Sequence, residues 1–166
     1  KGLSSIVSQA KQMLEDGATF IDIGGASTKP GADVVDEKEE INRVIPAINA
    51  IKQHAPKAII SIDTTSSIVA EKAVTSGASI VNDISAGTFD DRMLAVVASL
   101  GIPYIAMHIQ GTPKTMQINP TYDHVVDDVF RAMESFRDRA IKQGIKHIII
   151  DPGFGFGKTL SHNYQL

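Results

Sequence analysis

The stretch IIIDPGFGFGKT, residues Ile148–Thr159, is the part of the sequence that best indicates the fold. Its three isoleucines end in a carboxylate, which predicts a buried strand that carries Asp151 at its C-terminal end. The glycines that follow alternate with phenylalanines, and glycine lets the backbone adopt positive φ and approach a flat ligand closely. An acidic strand end with aromatic walls favours a planar, nitrogen-rich ligand over a polyphosphate.

Spacing excludes two nucleotide-binding motifs from this stretch. A P-loop would need a glycine where the chain has Pro152. A dinucleotide fingerprint that started at Gly153 would need its third glycine where Lys158 stands. The glycine-rich run is therefore expected to serve another kind of ligand.

Length and composition describe an ordinary globular protein. The 166 residues suffice for one domain with a real core, and 43% are hydrophobic and 21% charged. A net charge of −3 without a block of lysine and arginine argues against a nucleic-acid-binding surface. The absence of cysteine excludes disulfides and cysteine metal sites, and no apolar run reaches membrane-spanning length. Because the chain starts with Lys1-Gly2 and stops soon after a new helix begins, we expect one domain over residues 1–166, truncated at both ends.

A recurring order of helix, glycine and strand organises the chain. Four of the five predicted strands start shortly after a glycine that ends a helix, and the strands are apolar on both faces, which indicates a parallel sheet. The predicted strands are Phe20–Ile23, Ile59–Ile62, Ile80–Ile84, Tyr104–His108 and His147–Ile150.

Helix-start signals precede several of these strands. Ser4 or Ser5 is expected to cap the first helix. Asp36 and Ser66 are expected to cap the second and the third. The two remaining helices are predicted over residues 91–100 and 122–143.

Polar residues gather at the C-terminal ends of all the predicted strands. A doubly wound sheet usually binds its ligand at one switch point, whereas a closed barrel shares one site among all strand ends. The pattern therefore favours an α/β fold of the (β/α)8 type, an incomplete barrel to which this chain supplies about five parallel strands. The strand-end residues are Asp22, Asp63, Asn82 with Asp83, His108 and Asp151.

Each of these polar residues also has a structural role to weigh. Asp22 could equally hold the backbone amides of a neighbouring loop, and Asp63 could equally cap the next helix. Asn82 and Asp83 point to opposite faces of their strand, so only one faces the interior. The amide is expected inside because it can both donate and accept hydrogen bonds. Asp151 has the weakest structural alternative, since the glycines after it leave space beside it.

Other reactive residues suggest little chemistry. His108 is more often a hydrogen-bonded strand-end histidine than a ligand, and the remaining histidines lack metal-ligand spacing. Lys29 could be merely solvated, although its Pro-Gly context keeps it near the same face. No serine or cysteine nucleophile stands in a recognisable arrangement.

Five segments, taken together and in this order, resemble the dihydropteroate synthase family of folate biosynthesis. They are IDIGGASTKPG (21–31), SIDT (61–64), IVNDI (80–84), MHIQGTPKTMQ (107–117) and DPGFGFGKTLSHNYQL (151–166). The resemblance implies a (β/α)8 barrel and a cytoplasmic transferase, a sulfonamide target, that joins p-aminobenzoate to a dihydropterin pyrophosphate and releases pyrophosphate. It also implies that Mg²⁺ assists, through a ligand outside this chain, and that the full-length protein can be a homodimer. This fragment alone is expected to be inactive.

The resemblance also implies roles for individual residues. Asp63, Asn82 and Asp151 would bind the pterin ring, with Asp63 as the catalytic residue, and Met107 would pack on the ring. A mobile loop would close over p-aminobenzoate, and another wall of the site would come from the glycine run. The loop residues are Thr28, Lys29 and Pro30, and the wall residues are Gly155 and Phe156. Lys29 stands where the family most often has arginine, so charge is kept but bidentate geometry is not.

Two other functions remain open at this point. A pterin-dependent methyltransferase domain also binds a pterin in a barrel, although the segments around Lys29 and Gln110 favour the synthase. A non-catalytic pterin-binding module would keep the same scaffold. No metal-ligating residue is assigned within this chain.

Overall fold

The computed structural model describes residues 2–33 and 35–166, and strands and helices alternate through them. In these residues five strands form one parallel sheet with the order β1-β2-β3-β4-β5. The strands are β1 (Phe20–Gly24), β2 (Ile59–Asp63), β3 (Ile80–Asp83), β4 (Tyr104–Met107) and β5 (Ile148–Asp151). The predicted parallel sheet in sequence order is therefore confirmed.

Six helices accompany the strands within the described residues. They are α1 (Leu3–Glu15), α2 (Glu37–His54), α3 (Ser67–Thr75), α4 (Met93–Leu100), α5 (Val125–Gln143) and α6 (Leu160–Gln165). In this part of the chain, no helix combines the length and the hydropathy that crossing a lipid bilayer requires.

The predicted helix starts are partly correct. Asp36 and Ser66 do cap α2 and α3, accepting hydrogen bonds from the backbone N–H groups of residues 38 and 69. The prediction for α1 is wrong, because the helix begins at Leu3 and Gly2 occupies its N-cap without a side-chain bond.

The starts predicted for α4 and α5 are also wrong, because side chains turn the backbone just before each helix. The Asp90 carboxylate accepts from the Arg92 N–H at 2.9 Å, so α4 starts only at Met93. The Asp128 carboxylate accepts from the N–H groups of residues 123 and 124, and α5 starts at Val125.

Side chains alternate between the two faces of the sheet. The outer face carries Ile60, Ile62, Val81 and Ala106, all fully buried in the apolar cluster that joins sheet and helices. The opposite, inner face carries the polar strand-end residues, and register decides which of them lie side by side. Helices therefore stabilise one face while the other is left free for chemistry.

Candidate functional site

Parallel register brings the predicted site residues to one edge of the inner face. Asp63 at the end of β2 pairs with Asn82 on β3. Met107 at the end of β4 pairs with Asp151 at the end of β5. Each of these side chains lies at or next to a C-terminal strand end, which is where parallel α/β folds bind ligands.

Asp22 holds side chains of the neighbouring strands rather than loop amides. Its carboxylate accepts a short hydrogen bond from the Ser61 hydroxyl and a 3.4 Å bond from the Asn82 amide. Asn82 is thereby fixed on the inner face, as the sequence predicts. Its amide oxygen has no hydrogen-bond donor among residues 2–33 and 35–166, so it can accept from a ligand.

Asp83 points to the outer face and is fully buried. Its carboxylate accepts from the Ser85 N–H at 2.7 Å, the Gly87 N–H at 2.9 Å and the Tyr104 hydroxyl at 2.5 Å. Burial raises the pKa of Asp83, and these hydrogen bonds act against that rise. The residue is a structural anchor for the turn after β3.

Asp63 is the most perturbed carboxyl group at the site. The pKa of Asp63 is raised to about 7, mainly by burial and then by the negative charges of Asp22, Glu40 and Asp83. The cap of α3 is made by Ser66, so Asp63 is not needed as a helix cap. A carboxyl group near half-ionisation at pH 7 can exchange a proton with a ligand.

A cavity of about 290 Å³ opens beside Asp63. Two loops cover the cavity and contact each other. The backbone N–H of Gly31 in the first loop donates to the Pro113 carbonyl in the second at 3.1 Å, and Lys114 lies 3.8 Å from Asp33. Of the residues predicted to bind substrate, the cavity includes only Thr28 and Asp63. It is lined by Ala26, Ser27, Thr28, Ala32, Asp33, Val35, Glu40, Asp63, Thr64, Thr65, Ile84, Phe89, Thr112, Pro113 and Lys114.

Lys29 and Pro30 are exposed and do not line this cavity. The loop cation that does line it is Lys114, which the sequence analysis included in a motif without assigning it a role. Closure of the loop around Lys29 over a substrate stays a prediction.

Glu40 is a second buried carboxyl group on the cavity wall, and no sequence pattern predicted it. It is 7% exposed, and its Oε1 has no hydrogen-bond partner among the described residues. Burial raises its pKa, against the effect of a hydrogen bond with Thr64. The approach of Gly25 explains the burial, because a Cβ added there would lie 2.7 Å from the Glu40 Cγ.

The glycine-rich run turns sharply after Asp151. The Gly153 N–H donates to the Asp151 Oδ1 at 2.8 Å, while the Oδ2 has no hydrogen-bond partner in residues 2–33 and 35–166. Gly155 is exposed, and Phe156 is half-buried. Met107 is 5% exposed, and its Cγ lies 3.0 Å from the position of a Cβ on Gly153. It lies beneath the turn, and stacking on a ligand ring stays a prediction.

Lys158, the lysine that ends the run, is buried against the end of β4. Its side-chain nitrogen lies 3.0 Å from the His108 Nδ1 and also contacts backbone carbonyl groups. In the sequence, Lys158 served only to exclude nucleotide motifs. Its place directly after glycines that alternate with phenylalanines was the available signal.

Magnesium does not fit the described part of the chain. Within residues 2–33 and 35–166, no three histidine, aspartate or glutamate side chains converge in a group that could hold a metal ion. The role of Mg²⁺ that the resemblance implies stays a prediction.

A family model described as pterin binding enzyme matches residues 1–166, the entire sequence. The chain belongs to this family of pterin-binding enzymes.

Individual pterin-binding enzymes are also similar to this chain, in sequence and in structure. The dihydropteroate synthase of Haemophilus influenzae is 42% identical over 166 residues, covering 99% of this chain and 60% of that protein. The Yersinia pestis dihydropteroate synthase, solved with a sulfonamide drug, matches with a TM-score of 0.96 at 41% identity, covering 100% of this chain and 60% of that one. The Xanthomonas albilineans dihydropteroate synthase, solved with 4-aminobenzoic acid, gives a TM-score of 0.91 at 37% identity, covering 99% and 58%.

These matches confirm the predicted fold, an α/β chain that supplies five strands of a (β/α)8 barrel. The chain spans about 60% of the length of these relatives.

Proposed function

We propose that the protein containing this chain is a dihydropteroate synthase of folate biosynthesis. It would join a dihydropterin pyrophosphate to p-aminobenzoate and release pyrophosphate. The similarity to dihydropteroate synthases at 37–42% identity supports this assignment. The family's pterin-dependent alternative, methyl transfer, has no specific observation in its favour.

The observation that carries the proposal is the set of acceptors left free on the inner face. Asp63 and the Asn82 amide oxygen lie on the neighbouring strands β2 and β3, and the Asp151 Oδ2 lies on β5 of the same sheet, with β4 between. A pterin presents a guanidine-like edge of N–H donors, which a carboxylate can accept in pairs. Such acceptors are costly to bury without a partner, so a ligand that donates to them gains their unmet hydrogen bonds.

In the proposed reaction the amine of p-aminobenzoate attacks the methylene carbon of the dihydropterin. A C–N bond forms, the C–O bond to the pyrophosphate breaks, and the amine gives up a proton. Asp63, Asn82 and Asp151 would hold the ring in place, so their contribution is orientation and charge. Thr28, Lys29 and Pro30 would hold p-aminobenzoate, with Gly155 and Phe156 on another wall.

The remaining expectations belong to the whole protein. Mg²⁺ is proposed for the whole protein on the resemblance alone, held by residues other than those described here. A cytoplasmic location and a homodimer are proposed on the resemblance alone.

An activity assay on the complete protein tests the proposal. Pyrophosphate release should require both dihydropterin pyrophosphate and p-aminobenzoate, and a sulfonamide should compete with p-aminobenzoate. Activity that needs cobalamin and a methylated folate instead would favour the methyltransferase. Pterin binding without any turnover would indicate a binding module and overturn the enzymatic proposal.

A further inference from the structure

Lys158 is a buried lysine with an unusual set of partners. It is 3% exposed, and its Nζ lies 2.9 Å from the Gly153 carbonyl oxygen and 3.0 Å from that of Phe156. It also lies 3.0 Å from the His108 Nδ1 and 3.3 Å from the His108 carbonyl oxygen. One ammonium group thus joins the end of β4 to both halves of the glycine run.

The glycine run fits closely against the strand end where this ammonium group lies. A Cβ on Gly153 would lie 2.0 Å from the His108 carbonyl oxygen, and one on Gly157 would lie 2.6 Å from the Gln110 carbonyl oxygen. Both residues also have positive φ, so the close approach and the backbone conformation each require glycine there. The backbone carbonyl groups that this fold turns inward find their donor in Lys158.

The hydrogen-bond chain leads from Lys158 to Asp151. Lys158 holds the carbonyl of Gly153, and the N–H of the same residue donates to the Asp151 Oδ1. Two exposed side chains hold only the outer tip of the run, where Gln117 donates to the Gly155 carbonyl and Asn163 accepts from its N–H. In the inner half, which orients the carboxylate, the Gly153 carbonyl accepts from the Phe156 N–H at 3.1 Å, and Lys158 is the side chain that donates to it.

We propose that Lys158 is a positioning residue that sets the direction of the Asp151 carboxylate and thereby the affinity for the pterin. This inference rests on the function proposed above and goes beyond the residues assigned to the site there. Lys158 itself would not touch the ligand. Its effect would pass through the Gly153 peptide to Asp151.

Electrostatics agree with this arrangement. The pKa of His108 is lowered to about 4 by burial and by the neighbouring Lys158, so its ring is neutral and can accept at Nδ1. Burial lowers the pKa of Lys158 to about 8, and the negative charge of Asp151 opposes that shift. Lys158 therefore stays protonated at neutral pH and can donate to carbonyl oxygens. The groups around it are His108 directly after β4, Asp151 on β5, and Tyr122 and Asp128 beside the histidine.

The test uses the complete protein and 6-hydroxymethylpterin as the probe in calorimetry. Lys158→Met keeps the length of the side chain and removes its donors, and Lys146→Met alters an exposed lysine as the matched control. We expect about a 10-fold or larger loss of pterin affinity for Lys158→Met, by the usual strength of hydrogen bonds from charged groups. The control should change affinity by less than about 2-fold, since surface substitutions have small effects.

A double-mutant cycle separates positioning from general loosening. If Lys158 acts through Asp151, adding Lys158→Met to Asp151→Ala should cost little more affinity than Asp151→Ala alone. The KM for p-aminobenzoate should change much less than the pterin affinity. Additive losses, or equal losses for both substrates, would overturn the positioning role.

Failure of this inference is distinguishable from failure of the proposed function. If the wild-type protein does not bind the pterin, the proposed function is wrong. If it binds and a folded Lys158→Met variant keeps its affinity, the inference alone is wrong. Should Lys158→Met fail to fold, His108→Ala removes the ring acceptor and keeps the lysine. We then expect about a 3-fold loss, consistent with one modest hydrogen bond, and unchanged affinity would overturn the inference.

Discussion

Asn82 and Asp83 are adjacent in the chain, but their side chains lie on opposite faces of the sheet and have different roles. Asp83 is fully buried under the helices, and both its carboxylate oxygens accept hydrogen bonds from the protein. Asn82 faces the inner side, where only its amide nitrogen has a hydrogen-bond partner among the described residues. The face with satisfied polar groups stabilises the fold, and the face with unsatisfied ones is available to a ligand.

The same contrast holds for the carboxylates as a group. On the inner face Asp63 is surrounded by the like charges of Asp22 and Glu40, and Asp151 keeps one oxygen without a hydrogen-bond partner in the described residues. The ionised form of Asp63 costs folding free energy, because burial and repulsion disfavour it. The inner face therefore lowers the stability of the fold, whereas the outer face raises it.

Replacing Asp83 by alanine should give the largest loss of stability in this comparison. The change leaves the Tyr104 hydroxyl and the Gly87 N–H buried without their acceptor. Because each buried unsatisfied group costs about 1–3 kcal/mol, we expect unfolding free energy to fall by about 3–5 kcal/mol in urea denaturation. Asp83→Asn, which can still accept, should lose less. A loss below about 1 kcal/mol for alanine would contradict the anchoring role.

Asp63→Asn should stabilise the protein relative to wild type, and this gain should increase as pH rises. The folded pKa of Asp63 is about 7 against an ordinary value of 3.8, so its favourable contribution is present below pH 3.8 and is lost as pH rises through 7. Each pKa unit is about 1.4 kcal/mol, and we expect the variant to gain roughly 2–4 kcal/mol over wild type by pH 8. At pH 4 the two proteins should be nearly equal in thermal melts.

A difference between the two that does not depend on pH would show that Asp63 is not the group that titrates. The same variant should bind 6-hydroxymethylpterin more weakly, since an amide accepts fewer hydrogen bonds than a carboxylate. Gain of stability with loss of affinity is the signature expected of an inner-face residue.

Asp151→Ala should reduce affinity and cost less stability than Asp83→Ala, because it leaves only the Gly153 N–H without its acceptor. It removes a charged acceptor from the pterin edge, and hydrogen bonds to charged groups are worth roughly 1.5–3 kcal/mol, so affinity should fall by about 10- to 150-fold. Calorimetry with 6-hydroxymethylpterin on the complete protein measures this. Affinity for p-aminobenzoate should suffer only indirectly. Unchanged pterin affinity in a folded variant would remove Asp151 from the site.

The smallest effect is expected for Ser61→Ala on the inner face. The Ser61 hydroxyl donates to Asp22, and its loss should cost about 0.5–1.5 kcal/mol of unfolding free energy, the usual value of one hydrogen bond. Pterin affinity should change by less than about 3-fold, because Asp22 only braces Asn82. A larger loss of affinity than of stability would make Asp22 a direct ligand of the pterin.

Local pattern was enough to predict the sheet. Runs such as Ile59–Ile62, each preceded or followed by a turn-forming residue, fixed strand positions to within a residue or so. Alternation also separated Asn82 from Asp83, and the ability of the amide to donate and accept predicted that Asn82 is the one inside. These features depend on neighbours in the sequence, which periodicity reads directly.

Features that depend on distant residues escaped prediction. The acceptors of Lys158 include His108, fifty positions away, and Gly25 packs closely against the buried Glu40. Tertiary packing decided these two cases, and no spacing rule encodes it. The starts of α4 and α5 moved for a local reason, because Asp90 and Asp128 bind nearby backbone amides, a competition that helix periodicity does not contain.

The proton held by Asp63 has a consequence for the way ligand binding is measured. With a pKa of about 7, the group is about half protonated at neutral pH, and a ligand that donates N–H groups to the carboxylate expels that proton. The buffer takes it up and contributes its own heat of ionisation to the titration. Apparent binding enthalpies should therefore differ between phosphate and Tris at the same pH, while the affinities agree, and the slope against buffer enthalpy counts the protons released.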